Sequence, residues 1–256
     1  MERPFCREQM GCDKMKIGIA LSGCDWSGLA AYHLLGQMQE SGVRISAVSS
    51  CCVPSLTALL WAAGAEYAAI HRRAQQFLAK VLRREVDEAL TAFCDASPLA
   101  AGQFVLPIAL NAVNIPDGKR VVFTNTGLRN NENLTTFELD NARDSCRAAL
   151  SLADGLASYH YRDCRLCDYA VWHGIPCRAL RQMGADKIVS VSFEPKYPRT
   201  PYEVLVKQTV RKSSRAADIH IPIEVAGSRQ SMEEYAAICD NVLARTLKKI
   251  IRKTRR

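Results

Sequence analysis

Short apolar runs alternate along the chain with longer segments in which apolar residues recur every three or four positions. Residues 16–21 (KIGIAL) and 45–49 (ISAVS) are runs of the first kind, too short for helices and read as buried strands. Between them, Leu29, Tyr32, Leu35 and Met38 repeat at helical spacing over 28–41, and Gly42 stands where such a helix ends. A second helix is predicted over 53–63, with Pro54 in the first turn, where a missing N–H does no harm, and Gly64 at its end. Residues 66–94 read as one helix with Arg72, Arg73, Lys80, Arg83 and Arg84 outward. The apolar, proline-punctuated segment 99–115 suits a cap over a groove. Strands are predicted at 120–125, 187–193 and 217–221, and helices at 141–152, 176–183 and 232–252. This alternation predicts an α/β fold: a mainly parallel sheet, helices on both faces, three layers. No repeat or low-complexity linker divides the 256 residues, which are read as one domain with an extension at 1–15 and a basic tail at 245–256.

Composition changes this picture little. The chain is 48% hydrophobic and 23% charged, ordinary for a globular protein. The uncharged windows 45–65 and 96–116 are interrupted by serines, prolines and Asn111 and do not read as membrane spans. The N-terminus is too charged for a secretory signal, so a cytoplasmic location is expected. The 11 cysteines are then read as free thiols. Cys164 and Cys167 form one C-x-x-C without a second pair, and on a strand they face opposite sides, so no metal site is expected.

Charge needs a closer look. The net charge is +8, but Arg245, Lys248, Lys249, Arg252, Lys253, Arg255 and Arg256 carry seven of these charges, leaving +1 on the body. Basic character confined to a tail, with no aromatic reading pattern, does not predict nucleic-acid binding. The tail, which holds Ile250 and Ile251, either rests on an anionic membrane surface or ends as a solvated helix terminus.

The chemistry concentrates at residues 47–56, AVSSCCVPSL. Many hydrolases place a nucleophile at a strand-to-helix corner between two glycines. Here Ser50 and Pro54 flank two cysteines, and Cys51 points away from Cys52 if the strand continues. Gly23 and Gly28, in SGCDWSG, have the spacing of a phosphate-binding loop, but Leu29 and Ala30 replace its lysine and hydroxyl residue, and no cofactor is expected.

The order of three segments resembles the patatin-like phospholipase family: residues 16–43, then 45–64, then CDYAVWHGIPCRALRQMGADKIVSVSF from Cys167, with RVVFTN and ADIHIPI between and after them. The resemblance implies an α/β fold of lipid acyl hydrolases with a serine–aspartate dyad and a glycine-rich oxyanion loop. It places Cys52 at the serine position and Asp168 at the aspartate position. It assigns Gly23, Cys24, Asp25, Trp26, Ser27 and Gly28 to the oxyanion loop, with Ser27 where the family has arginine, and Ser50 and Pro54 to the elbow. Cys24 and Trp26 turn N–H groups inward less freely than glycine, and a carboxylate beside a thiol opposes the thiolate. The resemblance therefore implies a catalytically impaired acyl hydrolase, with a non-catalytic lipid-, acyl- or protein-binding descendant as the alternative. Tyr169, beside Asp168, is expected to fill the space of an acyl chain, and His173 to stay outside the dyad.

Overall fold

The computed structural model describes residues 15–95, 104–151, 157–226 and 231–254. The expectations for 1–14 and for the first part of the 99–115 segment lie outside these. Among the described residues nine strands form one sheet: β1 (Ile17–Ser22), β2 (Ile45–Ser50), β3 (Ile108–Asn114), β4 (Arg120–Thr124), β5 (Leu134–Glu138), β6 (Tyr159–Tyr161), β7 (Cys164–Asp168), β8 (Lys187–Pro195) and β9 (Ile219–Val225). The spatial order is β5-β4-β3-β2-β1-β8-β9, with β7 also on β3 and β6 beside β7. The pairs β1–β2, β1–β8, β2–β3, β4–β5 and β8–β9 are parallel, while β3–β4, β3–β7 and β6–β7 are antiparallel. The sheet is mainly parallel with helices on both faces, as the alternation of elements predicts.

Burial explains the strand sequences. Every residue of β1, IGIALS, is buried, as a central strand covered on both faces requires. In β9 buried and more exposed residues alternate, and Pro222, which has no N–H to give a ladder, is tolerated because β9 pairs on one side only.

One face of the sheet carries the larger core. Its helices are α1 (Ala31–Glu40), α2 (Pro54–Ala62), α3 (Tyr67–Leu82), α4 (Val86–Asp95), α5 (Ala142–Leu150) and the final α9 (Met232–Thr254). Ile70, Ala74, Phe77, Leu78 and Val81 form the buried stripe of α3 at helical spacing. The other face is covered by α6 (Tyr169–His173), α7 (Cys177–Gln182) and α8 (Pro201–Ser213).

Three expectations need correction. Residues 66–94 form two helices, because Arg84 takes a left-handed conformation (φ 65°) and turns the chain between α3 and α4. The 99–115 segment is no cap from Ile108 onward: it is β3, buried in the middle of the sheet. The helix read over 28–41 starts only at Ala31, after a 3-10 turn, Trp26–Ala30, which Asp25 caps by accepting from Ser27 N–H at 2.8 Å.

Candidate active site

The site forms where two strands meet end to end. β2 runs parallel along one half of β3, with Ser50 opposite Leu110, and β7 runs antiparallel along the other half, with Asp168 opposite Ala112. Both strands therefore end near the middle of β3, and the residues that follow them converge. Asn111, between those two positions on β3, is buried and donates from Nδ2 to Ser49 Oγ (2.9 Å) and Ser50 O (3.0 Å). It pins the end of β2 just before the corner.

The corner itself is strained. Cys52 has φ 56°, a left-handed conformation costing a β-carbon residue on the order of 1–3 kcal/mol. It is held from outside: Cys52 N–H donates to Ala149 O of α5 (3.1 Å), and Cys52 O accepts from Ser55 N–H (3.0 Å). Ser55 Oγ then reaches Ser50 Oγ (3.2 Å), closing the turn across its base. Pro54 is the first residue of α2, and Gly28 lies flat against it; a β-carbon on Gly28 would come within 2.9 Å of Pro54 Cδ. The 23–28 loop and the corner thus touch directly.

Gly23, the first residue after β1, has φ 127°, and a β-carbon there would strike Phe193 O of β8 at 1.9 Å. Cys24 and Trp26 do not have positive φ. Trp26 turns toward the large core and meets Phe77, with ring centroids 5.8 Å apart. The loop satisfies several of its own donors: Ser27 N–H is bound by the Asp25 carboxylate, and Gly28 N–H by Asp25 O at 2.9 Å. These two N–H groups are therefore engaged within the loop rather than offered to a ligand.

Cys52 and Asp168 are both fully buried, and one phenol links them. Tyr202, the second residue of α8, donates its hydroxyl proton to Asp168 Oδ2 at 2.8 Å. The phenol oxygen lies 3.4 Å from Cys52 Sγ. With its proton directed at Asp168, the phenol leaves the single thiol proton of Cys52 to be shared between the phenol oxygen and the carboxylate. Asp168 also caps α6, accepting Ala170 N–H at Oδ1 (3.0 Å). Each carboxylate oxygen thus accepts one of these two hydrogen bonds.

Electrostatics follow from this closure. Burial pushes the Asp168 carboxyl up to about 6, partly offset by hydrogen bonds from Ala170, Tyr202 and Cys52. Burial, then the Asp168 charge, then Cys24, drive the Cys52 thiol well above its ordinary range. Burial and the Asp168 charge raise the half-buried Cys24 thiol in the same way. The Tyr202 phenol rises for the same two leading reasons. The arrangement holds a neutral thiol against a carboxylate that is mostly ionised at neutral pH.

Other candidate residues lie elsewhere. Cys51 points to the opposite core, with Sγ 3.3 Å from Ser22 Oγ and 3.5 Å from Gly174 O. Tyr169 does not extend toward Cys52: it packs with Cys51 on the other face, its ring centroid 4.9 Å from that of His173. Burial and its neighbours Arg120 and Arg178 lower the pKa of His173. Cys164 packs toward the large core and Cys167 toward the smaller one, on opposite sides of β7. The nine described cysteines are unpaired thiols, and among the described residues no group of three metal-binding side chains is placed to hold an ion. No described helix is long and apolar enough to cross a membrane.

Tyr202 and Asn111 are the site residues that sequence reading misses. Asn111 left a signal, a lone amide inside an apolar run. Tyr202 left none, since nothing in the spacing from Asp168 joins the two.

No family model matches the chain. Among solved structures it is similar to VipD from Legionella pneumophila (TM-score 0.49, 10% identity, covering 93% of this chain and 66% of that one). It is also similar to the heterodimeric ExoU–SpcU complex from the type III secretion system of Pseudomonas aeruginosa (TM-score 0.39, 12% identity, covering 94% of this chain and 52% of that one). The chain thus spans just under two thirds and about half of those lengths.

Proposed function

We propose that this chain is a patatin-like member of the lipid acyl hydrolases whose dyad site is retained in position but closed, so that ester turnover is near background. The motif order in the sequence supports the family and the acyl-lipid ligand class. The observation that carries the closure is the Tyr202 hydroxyl bound to both Cys52 and Asp168. A dyad base takes the nucleophile's proton, and here the Tyr202 hydroxyl competes with the Cys52 thiol for Asp168. A thiol nucleophile must reach the thiolate, and burial and Asp168 oppose that at Cys52. The Ser27 and Gly28 N–H groups are spent inside the loop and are not available to an oxyanion.

The second reading, a working cysteine hydrolase, is favoured by the left-handed Cys52, since such strain is a device of nucleophile corners. Hydrolysis of a short-chain acyl ester, compared between the native chain and Cys52→Ala, separates the two. Equal, near-background rates are expected. Rapid turnover abolished by Cys52→Ala, or a burst that acylates Cys52, favours the working enzyme and overturns closure.

A further inference from the structure

The exposed apolar side chains are not scattered evenly. Among the described residues, large hydrophobic side chains are exposed at Trp172 (50%), Tyr197 (67%), Val204 (38%) and Leu205 (50%), and otherwise at Tyr67, Leu82 and Val105. The first four belong to α6, α8 or the segment leading into α8. These two helices are joined: Thr209 Oγ1 donates to Val171 O (3.1 Å), and Ile175 N–H donates to Ser213 Oγ (2.9 Å).

α8 is amphipathic along its length as well as across it. Val206 and Val210 face the core, while Val204 and Leu205 are exposed in the first half and Arg211 and Lys212 in the last turn. Charge on this limb is mostly positive. Residues 196–215 hold six cations and a single acid, Glu203, whose carboxylate is spent on the Arg199 and Thr200 N–H groups. Lys207 is taken by Glu224 (2.8 Å); Arg211, Lys212 and Arg215 are exposed. Aromatic and aliphatic side chains beside cations are the makeup of a surface that lies in a headgroup region. The basic end of α9 lacks the apolar part of that makeup, because Ile250 is fully buried in the core and Ile251 half-buried.

We propose that the α6–α8 face docks on an anionic lipid bilayer, with Trp172, Tyr197 and the first turn of α8 entering the interface and the last-turn cations meeting the headgroups. The choice of lipid over a protein partner rests on the acyl-lipid reading above and on the excess of cations over acids on this limb. The face is continuous with the site, since Asp168 caps α6 and Tyr202 stands in the first turn of α8.

Vesicle sedimentation of the full chain tests this, with phosphatidylcholine alone and with added phosphatidylglycerol. Native protein is expected to bind the anionic vesicles and not the neutral ones. Val204→Glu with Leu205→Glu is expected to lower the partition coefficient about tenfold or more, and Arg211→Glu with Lys212→Glu to do likewise, while Lys248→Glu with Lys249→Glu leaves it within about twofold. The proposal is overturned by a native chain that ignores anionic vesicles, by α8 variants that bind as well as native, or by binding that follows the α9 cations alone. Circular dichroism checks folding; if the Val204/Leu205 variant fails to fold, the Arg211/Lys212 variant, altered only at exposed positions, decides. Binding is read without turnover, so failure here leaves the Cys52 assay standing.

Discussion

At Asp168 a single carboxyl carries much of the site's cost. Its proton is held up to about 6 by burial, above the ordinary carboxylate value. The folded state therefore binds that proton more tightly than the unfolded state. This contribution to stability is full at pH below about 4 and is lost as pH rises through about 6. Asp168→Asn keeps an oxygen for Ala170 N–H and removes the buried charge. It is expected to stabilise the protein by roughly 2–3 kcal/mol at pH 7.5 and to change little at pH 4. Urea unfolding of both proteins at the two pH values measures this; a variant less stable than native at pH 7.5 shows that the charged form is favoured where it sits. The residue identities alone gave no hint of that cost, since it depends on the sheet closing over Asp168 and on Tyr202 arriving from α8.

The start of α8 decides whether the phenol stays in place. Thr200 and Glu203 form a capping box: Thr200 Oγ1 accepts Glu203 N–H (3.2 Å) and Glu203 Oε2 accepts Thr200 N–H (3.1 Å). Pro201 sits at the first helical position, which its fixed φ suits. The T-P-Y-E pattern is a local signature of a helix start, and α8 begins on it. Thr200→Ala is expected to cost about 1 kcal/mol and to fray the turn that holds Tyr202. Iodoacetamide labelling of Cys52, followed by mass spectrometry, should then run faster than in the native chain, where burial and the raised thiol pKa predict slow labelling at neutral pH. Equal rates in the two proteins would mean that Tyr202 is held by the site and not by the cap. The break between α3 and α4 was illegible: the apolar period continues across it, and the stop is an arginine at positive φ where a glycine is usual.

At the level of the whole molecule, α9 closes the large core with Met232, Tyr235, Cys239 and Leu243, and through Ile250 the segment read as a basic tail at 245–256 also reaches that core. Ile250→Ala is expected to cost about 2–4 kcal/mol, as for other fully buried isoleucines, measured by chemical denaturation; a loss below about 0.5 kcal/mol would place the end of α9 outside the cooperative fold. The sequence by itself determined the layered α/β architecture, the strands β1, β2, β4 and β8, and the corner that carries Cys52, because each of these has a local signature in hydrophobic period or turn chemistry. Only the tertiary structure decided that β2 and β7 share one edge of β3, that Tyr202 joins Cys52 to Asp168, and that Tyr169 turns to the opposite core. Those outcomes rest on hydrogen bonds and packing between segments far apart in the chain, and a pairing of that kind leaves no period in either partner.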